Sequence, residues 1–162
     1  MLPVTVADLC EDASHVRDAP LTELGKQQSR DLRERFDKHN SISLVLSSPL
    51  TRAIQTTVIA FAPAIARPEV EYLLIPKAQE VSAKTCDVGF PSDDLKKRIE
   101  KYFEGEDVGS SLAKINYDAV EEGWNSKVGL SGSSHSLRFG LTYARSATGL
   151  QTNPPSKFAL PI

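Results

Sequence analysis

Ser48, Pro49 and Arg52 stand where a short apolar run, Leu44-Val45-Leu46, gives way to a long helical pattern. That order of residue types can bind an oxyanion. A strand that ends against a helix N-terminus presents unpaired backbone N–H groups and the positive end of the helix dipole. An arginine in the first turns adds a planar fork that grips two phosphate oxygens at once. The same spacing also suits a plainer arrangement, in which Arg52 pairs with a carboxylate on the surface.

The elements that would hold this site follow from periodicity. Leu50, Ala53, Ile54, Thr57, Val58 and Phe61 recur at the spacing of one buried helical stripe, which predicts a helix over 49–61. Ser48 suits its N-cap and Pro49 its first helical position. The preceding run predicts a strand over 43–47 whose apolar centre does not alternate, as expected of a central strand covered on both faces. Upstream, Thr22 reads as an N-cap for a helix over 23–39, with Leu24, Leu32 and Phe36 on one face. Downstream, a strand is expected over 70–75 and a helix over 93–103 with Leu95, Ile99 and Phe103 inward. A short strand over 2–6 is weakened by Pro3. Alternating strands and helices imply an α/β layered sandwich, a mostly parallel sheet flanked by helices. From residue 129 the chain turns rich in Ser, Gly, Thr and Pro without sustained period, so 129–162 is expected to be an irregular tail and 1–128 the folded domain.

Composition excludes several classes. The 162 residues are enough for one domain, and their 40% hydrophobic and 25% charged content is ordinary for a globular chain. A net charge of −2 supplies no field to hold a nucleic-acid backbone. Lys96-Lys97-Arg98 lies in a helical pattern among acids and reads as a solvated face. Cys10 and Cys86 lack metal or disulfide-framework spacing, so reduced thiols in a cytoplasmic protein are expected. The longest apolar-rich run, 58–66, is too short to span a bilayer and contains Pro63. Of the histidines, His15 reads as an exposed loop residue, His39 as a helix C-terminal residue and His135 as a solvated tail residue. Trp124 reads as a core anchor rather than a substrate-side aromatic.

Larger motifs sharpen this reading. Ser47-Ser48-Pro49-Leu50-Thr51-Arg52-Ala53-Ile54-Gln55-Thr56 resembles the S-x-L-x-R-A-x-Q-T signature of the histidine phosphatase superfamily, the phosphoglycerate mutase-like proteins. Asp18-Ala19-Pro20-Leu21-Thr22-Glu23-Leu24-Gly25-Lys26-Gln27-Gln28 is similar to that family's L-T-x-x-G-x-x-Q helix start. Residues 79–87 are similar to the segment carrying its acidic proton donor, and Glu121-Glu122-Gly123-Trp124-Asn125-Ser126-Lys127 resembles a stretch of fungal-type members. The resemblance covers about residues 12–127.

It implies a phosphoglycerate mutase-like fold and chemistry through a phosphohistidine: a histidine attacks phosphorus, arginines hold the oxygens, and an acid protonates the leaving group. By position, Arg52 matches a phosphate-binding arginine, with Ser48 beside it, and Glu80 matches the proton donor, which would need a raised pKa to be protonated near neutral pH. The implied substrate is a phosphorylated small molecule, with no cofactor and no metal, and with neither nucleic acid nor membrane as partner. Two motifs are missing. Where an Arg-His pair should follow the first strand the chain reads Val6-Ala7-Asp8-Leu9-Cys10, and nothing after Lys127 resembles the late T-H-G. Cys10 stands near the nucleophile's place without an adjacent arginine to lower its pKa. A truncated domain with activity lost or much reduced is therefore expected; the alternatives are a non-catalytic phosphate- or protein-binding module that keeps the Arg52 pocket, and an aberrant gene product.

Overall fold

The computed structural model describes residues 15–104 and 108–128. The expectations for residues 2–6, Cys10, His135 and the tail 129–162 fall outside those residues. Among the described residues three strands form a parallel sheet in the order β1-β2-β3: β1 (Leu44–Ser47), β2 (Glu71–Leu74) and β3 (Ile115–Asn116). Val45 is level with Tyr72 across the first pair, and Tyr72 with Ile115 across the second. Helices α1 (Glu23–Arg35), α2 (Thr51–Ile65) and α3 (Ser92–Tyr102) supply the other layers, with α1 packed against α2. The α/β layered architecture is thus present, with every described strand pair parallel.

The core forms where the period-2 pattern of the sheet meets the 3.6-residue stripe of α2. Ile54, Val58 and Ile65 of α2 pack with Val45, Tyr72 and Leu74, and Leu95, Ile99 and Phe103 join from the third helix. Burial of Ile54, Val58 and Tyr72 is complete. At about 1.5–3 kcal/mol per large apolar side chain removed from water, this cluster dominates the stabilisation of the unit.

Several boundaries differ from the periodic reading. The first helix ends at Arg35, because Phe36 is extended and only its N–H returns to Leu32 O. The chain then turns through a short 3-10 segment, His39–Ser41. Edge-to-face packing of Phe36 on His39 and on Phe61, at centroid distances of 4.9 and 5.5 Å, holds that turn. His39 therefore lies beyond the helix, yet its Nε2 sits 3.0 Å from Arg33 O, so the ring still serves a carbonyl of the last turn. Leu24 points outward and the buried seam of α1 runs through Ser29 instead.

The second helix also shifts. It begins at Thr51 rather than Pro49 and continues past the expected end to Ile65, with a break from helical geometry at Phe61, two residues before Pro63. Proline removes one helical hydrogen bond and crowds the preceding turn, so a kink there is expected. Ser48 is not the N-cap; it lies two residues before Leu50, which holds that position, and its Oγ accepts from Leu50 N at 3.3 Å.

The strand preceding it departs from expectation as well. In β1, Val45 and Ser47 are buried while Leu44 and Leu46 remain 42% and 41% exposed. Among the described strands β1 stands at an edge, with one face against the core and the other open. The apolar run without alternation thus coexists with alternating burial, since composition cannot report which face is covered.

Candidate functional site

The two N-terminal motifs, read separately along the chain, are fastened together in space. Asp18 places its carboxylate over the start of α2: Oδ1 accepts from Thr51 N at 2.9 Å and Oδ2 from the Thr51 hydroxyl at 2.7 Å. Gln55, one turn further along the same helix and almost fully buried, accepts from Leu21 N at 2.6 Å through Oε1. Leu21 leads directly into Thr22, whose side chain caps α1 by accepting from Gly25 N at 3.1 Å. One helix start is thus capped locally and the other by a residue 33 positions away.

Asp18 is fully buried and adopts a left-handed backbone with φ of 47°. Burial pushes its carboxyl above the usual aspartate value, against the hydrogen bonds from Thr51 and the positive charge of Arg52. This changes the expected chemistry of the helix start. Its first amide does not await an external oxyanion, because a carboxylate from within the chain already occupies it.

Arg52, one residue further, reaches the loop after β2. Its Nη1 donates to Cys86 O at 2.8 Å and its Nη2 meets Asp87 Oδ1 at 2.7 Å. Both partners belong to a 3-10 turn, Thr85–Asp87. The side chains of Arg52 and Asp87 are 30% and 13% exposed, so this ion pair is sunk below the surface. Arg52 therefore has the carboxylate partner that the plainer arrangement supposed, in a half-buried pair.

The loop that supplies Asp87 is anchored along its length. Asp18 N donates to Thr85 O, Arg17 Nη2 and Asn125 Nδ2 both donate to Gly89 O at 2.8 Å, and Trp124 Nε1 donates to Phe90 O at 3.0 Å. Trp124 is buried in the core as expected, and its ring lies so close to Gly89 that a Cβ there would come within 2.3 Å of Cη2. The Arg98 guanidinium stacks 3.7 Å from the centre of the Phe90 ring.

Glu80 follows the short 3-10 turn Pro76–Ala78 and is exposed. Lys127 fastens its backbone: Nζ donates to Glu80 O and, at 2.7 Å, to Gln79 Oε1, while Gln79 Nε2 donates to Trp124 O at 2.6 Å. No hydrogen bond joins Glu80 to Arg52 among the described residues. Both nevertheless lie within electrostatic reach of the Lys127 ammonium, together with Asp87 and Asp18. Partial burial holds the pKa of Lys127 below its usual value, helped by Arg52 and opposed by the three carboxylates. The structure therefore joins Arg52 to Asp87, with Asp18 on the adjacent residue Thr51 and Ser48 on the turn leading to Arg52, while the Lys127 ammonium, bonded to the Glu80 carbonyl, lies within electrostatic reach.

Three of these residues have weak local signals. Asp18, Asp87 and Lys127 are polar loop residues that fall within the resembling segments without a role assigned there, and their long-range partners single them out. Among the described residues no three His, Cys, Asp or Glu side chains converge as metal ligands, and no helix is long and apolar enough to cross a membrane. His15 is exposed, as expected.

The comparisons with known proteins agree with the motifs. The family model of the histidine phosphatase superfamily (branch 1) matches residues 10–113, more than half of the chain. The chain belongs to that superfamily. A protein of the fission yeast Schizosaccharomyces pombe, described as a probable phosphatase, is 31% identical over 97 residues. That match takes in 59% of this chain and 45% of the yeast protein, so the chain spans less than half the length of that relative. No solved structure matches the chain.

Proposed function

We propose that this chain recognises phosphomonoesters through Arg52 and turns them over very slowly or not at all. The observation that carries the first half is the placement of Arg52. It sits in the first turn of α2, just beyond the C-terminal end of β1, with its side chain 30% exposed beside Asp87. Open α/β sheets take ligands at such strand ends. Superfamily membership and the description of the yeast relative support a phosphorylated small molecule as the ligand class. In this reading Ser48 lines the approach to Arg52 and Glu80 is the proton donor. Residues 1–128 are the phosphoglycerate mutase-like unit, and the chain works in the cytoplasm.

The second half rests on the sequence. Val6-Ala7-Asp8-Leu9-Cys10 stands where the superfamily places its nucleophilic histidine. Arg52 can stabilise charge and Glu80 can supply a proton, but neither divides the reaction into two displacements as a nucleophile does. Groups in such a site act as a unit, and loss of the nucleophile costs several orders of magnitude.

The test is hydrolysis of p-nitrophenyl phosphate, with a parallel search for an acid-labile phosphorylated residue and a phosphate titration of wild type and Arg52→Ala. Turnover near background, no phosphoenzyme, and phosphate binding lost in the variant are expected. Ordinary phosphatase turnover with phosphate on His15, His135 or Cys10 overturns the second half; equal phosphate binding by both proteins overturns the first. Binding without turnover would identify a module that recognises phosphate without consuming the ester.

A further inference from the structure

Arg52 does not face solvent with an empty fork. The two terminal nitrogens that a bidentate oxyanion would grip are the two already engaged, one by the Cys86 carbonyl and one by the Asp87 carboxylate. Asp87 is short, more buried than its partner, and carried by a turn whose own backbone bonds run from Asp87 N to Lys84 O and from Val88 N to Thr85 O. That turn is held from outside by Asp18 N at Thr85 and by Arg17 and Asn125 at Gly89. The carboxylate is therefore presented to Arg52 at a high effective concentration, since no long flexible side chain has to be ordered to bring it there. An incoming anion that grips this edge of the fork competes with a carboxylate already in place.

We propose that Asp87 is a specificity-determining gate on the Arg52 site, a built-in competitor that admits dianions and turns away monoanions. The inference rests on the reading of Arg52 as the phosphate ligand. A monoanion such as a carboxylate offers Arg52 no more than Asp87 does, and it must also give up its own hydration. A phosphomonoester dianion brings a second charge and three acceptor oxygens. Lys127 lies within electrostatic reach of both Arg52 and Asp87, its ammonium held by Gln79 Oε1 and Glu80 O. Competition by Asp87 thus lowers affinity for every anion but removes the weak ones altogether, which is discrimination by a repulsive element rather than by added contacts. Asp18 strengthens the effect, because its carboxylate already fills the Thr51 amide of α2 and withholds that donor from an incoming anion.

The experiment is calorimetric titration of the full chain with inorganic phosphate and, separately, with acetate, at a pH slightly above 7. The proteins are wild type, Asp87→Asn, Asp87→Ala, Arg52→Ala and the double variant Asp87→Asn/Arg52→Ala. Loss of the competing charge should tighten phosphate binding on the order of tenfold. It should also make acetate binding measurable where wild type shows none. The asparagine variant keeps the shape of the turn; the alanine variant removes any residual hydrogen bond to Arg52, and thermal unfolding of each verifies that the chain is folded. The double variant should bind neither anion. Wild-type phosphate affinity in both folded Asp87 variants, with no gain of acetate binding, overturns the gate while leaving Arg52 as the ligand. Phosphate binding that survives Arg52→Ala unchanged overturns the underlying reading instead.

Discussion

Replacing Asp18 by alanine removes the cap of a helix whose local candidate, Ser48, lies two residues before the N-cap position and bonds Leu50 N instead. In the folded chain the Asp18 carboxylate satisfies both Thr51 N and the Thr51 hydroxyl, and both residues are wholly buried. Loss of a helix cap costs about 1 kcal/mol. A buried N–H left without an acceptor costs about 1–3 kcal/mol. These overlap, because they describe the same amide. Alanine must also adopt the left-handed backbone that Asp18 holds at φ 47°, at a further ~1–2 kcal/mol. A loss of about 2–5 kcal/mol is therefore expected for Asp18→Ala, a substantial share of the stability of a domain.

Asparagine separates the hydrogen bonds from the charge. Its Oδ1 accepts from Thr51 N as before, the Thr51 hydroxyl turns to accept from Nδ2, and asparagine tolerates the left-handed region. Asp18→Asn should therefore stay within about 1 kcal/mol of wild type near neutral pH. The pH dependence gives the sharper comparison. Burial raises the Asp18 pKa in the folded chain above its ordinary value of 3.8. The folded state then holds this proton more tightly than the unfolded state, so the contribution is fully present below the ordinary value and is lost as pH climbs through the raised one. Asparagine has no such loss, and its stability relative to wild type should rise with pH across that window. Urea unfolding monitored by fluorescence of Trp124, the sole tryptophan and a buried one, measures all three proteins. Alanine as stable as wild type would refute the assignment of Asp18 as a cap, and parallel pH profiles for aspartate and asparagine would refute the upward shift of its pKa.

Three further outcomes follow from contacts already described. Gly89→Ala should destabilise the chain by about 1–3 kcal/mol and shift Trp124 emission, because the new Cβ meets the indole at 2.3 Å; unchanged emission and stability would mean that the loop is free to withdraw. Thr22→Ala should cost about 1 kcal/mol through loss of the bond from Gly25 N, measured by the same urea unfolding, with no effect on phosphate titration. Ile54→Ala, at a fully buried position facing β1 and β2, should cost about 2–5 kcal/mol, whereas Leu46→Thr on the open face of β1 should cost under 1 kcal/mol. Equal losses at these two positions would show that the open face of β1 is covered in solution.

What could be read from the residues alone were the elements governed by local chemistry. The stripe from Leu50 to Phe61 announced α2, Thr22 announced the start of α1, and the apolar runs announced β1 and β2, because propensity and periodicity act over a few residues. The two motifs that resemble the superfamily were legible in the same way, as was Arg52 at the head of its helix. Only the folded chain showed why those motifs belong together. The bonds from Asp18 to Thr51 and from Leu21 to Gln55 join residues more than thirty positions apart, and nothing in either segment specifies its partner. The same holds for the pairing of Arg52 with Asp87 and the clasp of Lys127 on Gln79 and Glu80. Which face of β1 is covered, where α2 is capped, and whether the guanidinium is open or engaged are matters of three-dimensional proximity. Local sequence supplies the charge, the fork and the helix start; tertiary packing decides which anion stands in front of them.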